Sequence, residues 1–218
     1  MNETKLFIAK NIRPLLKKGD LVNLGAGIPY FLTNFITDED EIGIQAECGT
    51  IGAGPKALPG EEIRTLIAPD TSYGTLKSTG YCFDSQTSFG MIRGGHLDVT
   101  VLGALQVDRE GSMANWDIPG KGLKGMGGAM DLAVGAKRVI VAMEHCTKDG
   151  SPKILEKCTF PLTCTKEVNY IVTELCVLQV VPEGLLVKAL APGVTPEELQ
   201  SKTGTELIFP DNIEMMIQ

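Results

Sequence analysis

The sequence is organised around residues 42–55, which read IGIQAECGTIGAGP. Ile42 and Ile44 recur at a spacing of two, which is the period of a β-strand. The strand pattern breaks at Glu47, and residues 49–55 are rich in glycine and end in proline. We interpret the stretch as a parallel strand with a carboxylate at its carboxyl end and a flexible turn above it. Open α/β sheets hold their active sites at this position, and glycines leave room for backbone N–H groups to face a ligand.

Glu47 has three interpretations on this stretch alone. It is a covalent nucleophile, or it is a solvated loop residue of the kind that often follows a strand. In the third interpretation the glycines form a phosphate cradle. Their order, G-x-x-G-x-G, is the reverse of the dinucleotide-binding fingerprint G-x-G-x-x-G, so this match is poor. The remainder of the chain decides between these interpretations.

The composition is that of a globular chain with one core. Of the 218 residues, 43% are hydrophobic, which is enough to bury a sizeable core. No linker and no internal repeat divides the sequence, so we predict a single domain over residues 1–218. The net charge is −7 and no basic run occurs, so the sequence carries no electrostatic footprint for nucleic acid.

The sequence carries no targeting signal and no metal-binding signal that we can identify. The N-terminal residues are polar, no signal-peptide core follows them, and no apolar run approaches the ~20 residues that span a bilayer. The six cysteines form no C-x-x-C pair and only two histidines are present, so we expect no zinc site. Scattered, unpaired cysteines without a signal indicate reduced thiols, and we predict a cytoplasmic protein.

Strand and helix patterns alternate along the chain. We predict helices over residues 4–18, 30–36, 87–92 and 195–202, with the first interrupted at Pro14. A further helix is predicted to begin within residues 125–131 and to end at about 136. We predict strands over residues 21–24, 42–47, 81–84, 97–102, 139–143, 168–172, 176–180 and 185–190. Residues 55–80 and 106–128 are predicted to be irregular. The alternation predicts an α/β fold with an open, mostly parallel sheet.

Glycine-rich turns follow apolar runs at residues 25–29, 49–55 and 122–128. The turns of a parallel sheet converge at the carboxyl ends of its strands, so we expect these three to meet near Glu47. One carboxylate that faces several backbone amides suits acyl transfer, because the carboxylate attacks and the amides stabilise a tetrahedral oxyanion. The alternative for Gly125, Gly127 and Gly128 is tight packing of a helix on a strand.

Several ordered stretches of the sequence carry a resemblance to one enzyme family. They are LGAGIP at 24–29, IQAECGTIGAGP at 44–55, MIRGGHLDVTVLGALQVD at 91–108, ANW at 114–116, PGK at 119–121 and GMGGAMDL at 125–132. Together they resemble the β subunit of class I coenzyme A transferases, the acetate/acetoacetate and 3-oxoacid group. The second stretch resembles the family's nucleophile segment, S-E-N-G-x-x-G-x-G-P. The resemblance covers almost the whole chain and implies a fold like that of ribose-5-phosphate isomerase relatives, with helices on both faces of the sheet.

The resemblance also implies a mechanism and a set of site residues. Glu47 becomes the nucleophile of a ping-pong cycle that passes through a glutamyl–CoA thioester. Coenzyme A (CoA) is then a substrate, and no cofactor is permanently bound. The resemblance assigns one side of the oxyanion hole, and the contacts with CoA, to the backbone of Gly125, Gly127 and Gly128. It assigns a substrate pocket to Gly25, Gly27, Cys48 and Gly49.

A partner subunit is a further expectation. The sequence has no basic cluster for the phosphates of CoA; Lys56, Lys121 and Lys124 are the cations that closely follow the glycine-rich turns. It also has no second α/β half, which single-chain members of the resembled family hold in one longer polypeptide. We therefore predict an α subunit of similar fold that binds CoA and closes over Glu47, in an αβ pair or an α2β2 heterotetramer.

The sequence departs from the family pattern on both sides of Glu47. Ala46 replaces the usual serine and Cys48 replaces the usual asparagine. A nucleophilic Cys48 is therefore an alternative, although a cysteine without a neighbouring histidine is more often inert. A second interpretation is a CoA-ester hydrolase or ring-opening hydrolase of the same fold, and a third is a structural half without activity.

The sequence leaves the substrate open. Arg64 and Arg93 are the arginines of the central region that would pair with a second carboxylate. Monocarboxylates such as acetate, butyrate or acetoacetate are favoured over the 3-oxoadipate or succinate type.

Overall fold

A computed structural model describes residues 3–68, 72–121 and 125–218, and the side chain of Pro55 is not described. The centre of the fold is five parallel strands. In spatial order they are β10 (Val168–Val172), β8 (Val139–Ala142), β5 (Val99–Leu102), β1 (Leu21–Leu24) and β2 (Gly43–Ala46). Most of their residues are apolar and buried, as is typical of strands covered on both faces, and the predicted mostly parallel α/β sheet is confirmed.

Antiparallel strands extend the sheet on both sides of this parallel centre. Beyond β2 lie β3 (Thr50–Lys56) and β4 (Gly74–Cys82), and beyond β10 lie β11 (Cys176–Val181) and β12 (Gly184–Leu190). Two short strands, β13 (Leu207–Ile208) and β14 (Glu214–Met215), pair in parallel with β12. A separate small sheet holds β6 (Gln106–Asp108), β7 (Met113–Ala114) and β9 (Ile154–Leu155), within and beyond a segment predicted as loop.

The predicted glycine-rich turn at 49–55 is wrong over most of its length, and the predicted irregular segment 55–80 is wrong at its two ends, which belong to β3 and β4. Only residues 47–49 form a turn, and β3 and β4 then run antiparallel. The glycines allow these two strands to approach closely: a Cβ added to Gly52 would lie 2.8 Å from the Cα of Gly80, and one added to Gly54 would overlap Thr75 Oγ1. Glycine is uncommon in strands, so its abundance here hid them from the sequence analysis.

Helical segments cover both faces of the sheet, as predicted. On one face lie α1 (Glu3–Lys10) and a 3₁₀ segment (Pro29–Asn34), whose side chains pack on Val22, Val99 and Ile140. On the other face α2 (Ser85–Arg93) and α3 (Ala129–Gly135) pack on the opposite side chains of the same strands, including Val139 and Val141. The N-terminal helix is shorter than predicted, because it ends at Lys10 and a 3₁₀ turn containing Pro14 follows.

The last helix, α4 (Pro196–Ser201), begins as its sequence predicts. Thr195 Oγ1 accepts a hydrogen bond of 3.2 Å from the backbone N–H of Glu198. None of the described helices is long and apolar enough to cross a membrane.

Candidate active site

Glu47 lines a cavity of about 440 Å³ at the carboxyl ends of the central strands. It begins the turn that follows β2 and is half-buried. The remaining walls come from the ends of β1 and β5, from Asn115, and from the start of α3. Parallel strands bring their carboxyl ends to one edge of the sheet, so three segments far apart in sequence meet around one carboxylate. Among the described residues that line this cavity, Glu47 is the only one with an ionisable side chain.

Gly128 brings the backbone at the start of α3 close to Glu47. A Cβ added to Gly128 would lie 3.5 Å from Glu47 Cγ and 3.0 Å from Phe89 Cζ, so even an alanine would crowd this place. The nearest contacts of Gly128 are therefore with helix α2 and with the Glu47 side chain, not with a strand as the packing alternative predicted.

Gly125 and Gly127 differ from Gly128 in what they require. Their φ angles are +79° and +54°, and a Cβ added to either would meet no atom within 4 Å. They provide a left-handed backbone rather than space, and Met126 between them lines the cavity. The first part of the predicted turn, residues 122–124, lies outside the described residues, and so does Lys124.

Gly25 lines the Glu47 cavity, whereas Gly27 lines a neighbouring cavity. The N–H of Gly25 donates a hydrogen bond of 2.8 Å to the carbonyl oxygen of Val101, and a Cβ there would lie 3.2 Å from the same oxygen. Gly25 therefore allows β1 to end against β5, and its N–H is already used. Gly27 has a φ of +80° and open space around its Cα.

Cys48 and Gly49 do not line the Glu47 cavity. Gly49 fixes the turn instead: its N–H donates to the carbonyl oxygen of Ala46 at 3.0 Å, and its own carbonyl accepts from the N–H of Phe83 at 2.9 Å. Its φ is +118°, and a Cβ added to it would overlap the carbonyl oxygen of Phe83. Only glycine fits this turn, which sets the direction in which Glu47 leaves β2.

Cys48 is an exposed residue, but its thiol is partly desolvated and poorly suited to act as a nucleophile. Loss of hydration around the sulphur raises the pKa of Cys48, and the negative charge of Glu47 raises it further. A raised pKa lowers the fraction of reactive thiolate at neutral pH. The arrangement therefore favours Glu47 over Cys48 as the attacking group.

Replacing Cys48 with asparagine is expected to leave activity within about tenfold of the unchanged chain, which corresponds to about 1.4 kcal/mol. The substitution restores the common family motif at an exposed position outside the cavity. Steady-state rates of the two proteins, measured side by side, test this. A near-complete loss of activity would mean that the thiol takes part in the reaction.

Sequence analysis did not identify Asn115 as a residue of the site. Its Nδ2 donates to the carbonyl oxygen of Gly103 at 3.2 Å, and its Oδ1 accepts from Thr163 Oγ1 at 2.7 Å. These two bonds hold its side chain against the end of β5 in the cavity wall. The sequence signal was only its place in the ANW stretch, since Thr163 is distant in sequence.

A buried series of side-chain hydrogen bonds beside the site was also not predicted from the sequence. Gln45, two residues before Glu47, donates to Ser88 Oγ at 2.8 Å, and Asn23 Nδ2 donates to Gln45 Oε1 at 2.7 Å. The Oγ1 of Thr100 donates to Asn23 Oδ1 at 3.4 Å. The series crosses β5, β1 and β2 and ends on α2, so it locks the strand end that carries Glu47. Its signal was a set of polar residues within apolar strands.

Neither histidine belongs to the cavity. His96 is exposed. His145 is fully buried between Thr173 Oγ1 at 3.1 Å and Thr203 Oγ1 at 3.0 Å, and burial lowers its pKa to about 4. The ring is therefore neutral at physiological pH. In the part of the chain that the structure describes, no group of His, Cys, Asp and Glu side chains could hold a metal ion.

Comparison with known proteins identifies the family. The protein-family model described as coenzyme A transferase matches residues 6–202. The β subunit of the acetate CoA-transferase of Haemophilus influenzae is 45% identical over 212 residues, which are 97% of this chain and 95% of that protein. A subunit of the 3-oxoadipate CoA-transferase of Pseudomonas putida is 43% identical over 202 residues, which are 92% of this chain and 94% of that protein.

A solved structure shares the fold. It is an acyl-CoA transferase of Escherichia coli O157:H7, described as a thioester complex with CoA, with a TM-score of 0.78 and 20% identity. The match covers 98% of this chain but only 43% of that one. Because the family model and both relatives span nearly all of the sequence, the chain belongs to the coenzyme A transferase family, as a class I β subunit of the acetate, succinyl-CoA and 3-oxoadipate type.

Proposed function

We propose that residues 1–218 form the catalytic β-subunit domain of an enzyme that moves CoA between a short-chain acyl-CoA and a carboxylic acid. One observation carries this proposal: Glu47 is the only ionisable residue among the described residues of its cavity, and it lies beside the backbone of Gly128. A carboxylate without an ionisable neighbour, placed beside a backbone turn, suits nucleophilic attack on a carbonyl carbon.

In the proposed cycle Glu47 is the nucleophile of the first step and the leaving group of the last. The carboxylate attacks the thioester carbonyl of the acyl-CoA, the C–S bond breaks, and an acyl–glutamyl anhydride and CoA thiolate form. The thiolate attacks the γ-carbonyl of Glu47, which releases the first carboxylic acid as its anion and leaves a glutamyl–CoA thioester. The incoming carboxylate then attacks this thioester and expels CoA thiolate. Finally the thiolate attacks the new acyl carbonyl, so Glu47 regains its charge without any net proton transfer.

Each attack in this cycle forms a tetrahedral oxyanion that needs hydrogen-bond donors. We assign one side of the oxyanion hole to the backbone of residues 125–128, since Gly128 lies against the Glu47 side chain. Gly25, predicted as a residue of the substrate pocket, does not supply a second donor, because its N–H is bonded to the carbonyl oxygen of Val101. Preorganised amides of this kind contribute about 3 kcal/mol each in acyl-transfer enzymes.

The acyl group in the Glu47 cavity is proposed to be a short monocarboxylate such as an acetyl, butyryl or acetoacetyl group. The side chains of Leu102, Leu105 and Leu132 line the walls, and no cationic side chain is present among the described lining residues. Arg64 is exposed and Arg93 is paired with Asp131, with Nε to Oδ1 at 2.8 Å, and neither lines the cavity.

Steady-state kinetics separate this proposal from a hydrolase of the same fold. A ping-pong transferase gives parallel double-reciprocal lines when acyl-CoA and acceptor acid are both varied. A hydrolase instead consumes acyl-CoA at full rate without an acceptor, because water takes the acyl group. Parallel lines, together with negligible loss of acyl-CoA in the absence of acceptor, are the expected result.

A partner subunit follows from the proposed reaction and from three observations. The relatives are named as subunits. The matched acyl-CoA transferase chain is more than twice as long as its aligned part. In addition, large apolar side chains are exposed on β4 and on the segment before it: Tyr81 is 71% exposed and Leu58 is 65% exposed. We propose that an α subunit of similar fold covers this region and completes the CoA site.

The chain purified alone is expected to have no transferase activity, and co-expression with the neighbouring reading frame is expected to restore it. The interface between the two subunits should bury on the order of 2,000 Å² or more of accessible surface, as in permanent complexes. Size-exclusion chromatography of the co-expressed proteins distinguishes an αβ pair from an α2β2 heterotetramer. A 23.4 kDa chain that is monomeric and fully active by itself would overturn the two-subunit proposal.

A further inference from the structure

A second cavity, of about 290 Å³, adjoins the Glu47 cavity. The two share Ala26, Gly103 and Ala104, so they meet at the carboxyl ends of β1 and β5. The second cavity extends from there past the end of β8 towards α1. A substrate that reacts at Glu47 can therefore reach into it without leaving the same edge of the sheet.

Two lysines, Lys5 and Lys153, line this second cavity. Lys5 comes from α1 and Lys153 directly precedes β9, so only the folded chain brings them to one place. Neither lysine has a cationic neighbour within its own turn, and the two are far apart in sequence. The sequence alone therefore shows no basic cluster. The adjoining Glu47 cavity has no cationic side chain among its described lining residues, so positive charge is confined to the second cavity.

Lys153 is held in position by its backbone. Its N–H donates to the carbonyl oxygen of His145 at 3.2 Å, and its carbonyl accepts from the N–H of Val107 at 3.0 Å. The side chain is half-buried, and Nζ donates to the backbone carbonyl of Glu144 at 3.1 Å. Within the described residues this is its only side-chain hydrogen bond and it has no ion pair. An ammonium group has three donors, so two remain for a ligand.

The charges around Lys153 come from several elements. The Glu144 side chain lines the same cavity but is exposed, and the Glu174 carboxylate already accepts from the backbone N–H of His145 at 2.9 Å. Burial lowers the pKa of Lys153, while Glu144 and Glu174 act in the opposite direction. An anion placed against a partly desolvated ammonium group recovers part of the hydration energy that burial removed.

Lys5 has no ion pair and no side-chain hydrogen bond in the described parts of the chain, although it is half-buried. Many of the other lysines are used: Lys18, Lys77, Lys137, Lys166 and Lys202 each pair with a carboxylate. A half-buried lysine without a carboxylate partner, in the same cavity as a second lysine, is an arrangement that suits an anionic ligand.

We propose that Lys5 and Lys153 form an anion-binding subsite that holds a negatively charged group of the substrate while its thioester lies at Glu47. The proposal rests on the proposed function and identifies a second binding region for the same substrate. Two sources supply such a group: a phosphate of CoA, which agrees with the short monocarboxylic acyl group proposed above, or the second carboxylate of a dicarboxylic acyl group, which would replace it. Both present oxygen atoms with negative charge, which is what a pair of ammonium groups recognises.

Kinetics of the co-expressed enzyme with three acyl donors test the subsite. The variants are Lys153→Met and Lys5→Met. Lys188→Met is the control, because Lys188 is exposed on β12 and its substitution removes the same charge away from the cavity. Acetyl-CoA carries the phosphates, succinyl-CoA adds a carboxylate, and acetyl-pantetheine has neither. We expect Lys153→Met to raise KM about tenfold with kcat within about twofold for the donor that uses the subsite.

The three donors distinguish the source of the anion. If the subsite binds phosphate, acetyl-CoA and succinyl-CoA are affected equally; if it binds carboxylate, only succinyl-CoA is affected. In both cases acetyl-pantetheine reacts equally with the variant and the unchanged enzyme, and Lys153→Arg restores most of the affinity. An equal loss with all three donors, or no loss with any, would overturn the proposal.

Binding measured without catalysis keeps this test independent of the proposed reaction. Calorimetric titration of the co-expressed Glu47→Ala enzyme with acetyl-CoA and with succinyl-CoA should show the same roughly tenfold weakening on adding Lys153→Met. If the enzyme proves not to be a transferase, this difference in affinity remains. If binding is unchanged for both ligands, the subsite is wrong even where transfer through Glu47 is established.

Discussion

Glu47→Ala is expected to lower kcat for acyl transfer by at least about 10⁴-fold, with little change in thermal stability. The expected loss is large because covalent catalysis has no substitute here: no other described residue of the cavity has an ionisable side chain. Glu47 is half-buried in a turn whose hydrogen bonds come from the backbone of neighbouring residues, so its side chain contributes little to folding. Steady-state rates with acetyl-CoA and an acceptor acid measure the loss, and a melting curve checks the fold.

Two matched variants distinguish loss of the nucleophile from a change in its position. Glu47→Gln keeps the shape but removes the nucleophile, and should lose as much activity as alanine. Glu47→Asp keeps the carboxylate but withdraws it by one methylene, and should lose about 10²-fold, since small misplacements of a reacting group are costly. Activity of Glu47→Ala within tenfold of the unchanged enzyme would exclude Glu47 as the nucleophile.

Gly49→Ala is expected to destabilise the chain by about 3 kcal/mol and to lower kcat/KM by at least about 100-fold. Two effects add at this position. The backbone φ of +118° disfavours any side chain, and the new Cβ would overlap the carbonyl oxygen of Phe83. The turn must open to relieve the overlap, and this redirects Glu47, two residues away. Thermal unfolding and steady-state rates on one preparation measure both effects.

Gly193→Ala is the matched control for backbone strain. Gly193 has a φ of +84° in an exposed loop, and a Cβ there would meet no atom within 4 Å. It should cost about 1 kcal/mol and leave activity unchanged. If Gly49→Ala behaved like this control in both stability and activity, the turn would not determine the position of Glu47.

The fold was predictable wherever a strand is a continuous apolar run. Residues 139–142 are buried on both faces, and their apolar composition alone identifies them. The hairpin of β3 and β4 was not predictable from the sequence. Its glycines are required because the two strands approach each other closely, and local strand propensity takes no account of such a contact. The segment predicted as a helix at 30–36 is a 3₁₀ segment at Pro29–Asn34, a difference that tertiary packing decides.

The site was predictable in its centre and not in its surroundings. Glu47 and Gly128 lie in stretches with recognisable motifs, and the parallel topology brings them together. Asn115 and the lysine pair Lys5 and Lys153 gain their positions from contacts between distant segments. A single sequence contains no signal for such a contact, so these residues appear only in the folded chain.

The most direct measurement of the central claim is chemical trapping of the covalent intermediate. The co-expressed enzyme is incubated with an acyl-CoA, without acceptor, and reduced with borohydride, which converts a glutamyl thioester to an alcohol. Peptide mass spectrometry then locates the change, with Glu47→Gln as the control. We expect the alcohol at residue 47 in the unchanged enzyme and none in the control. Labelling of Cys48, or an unmodified Glu47 in an enzyme that transfers CoA, would contradict the central claim.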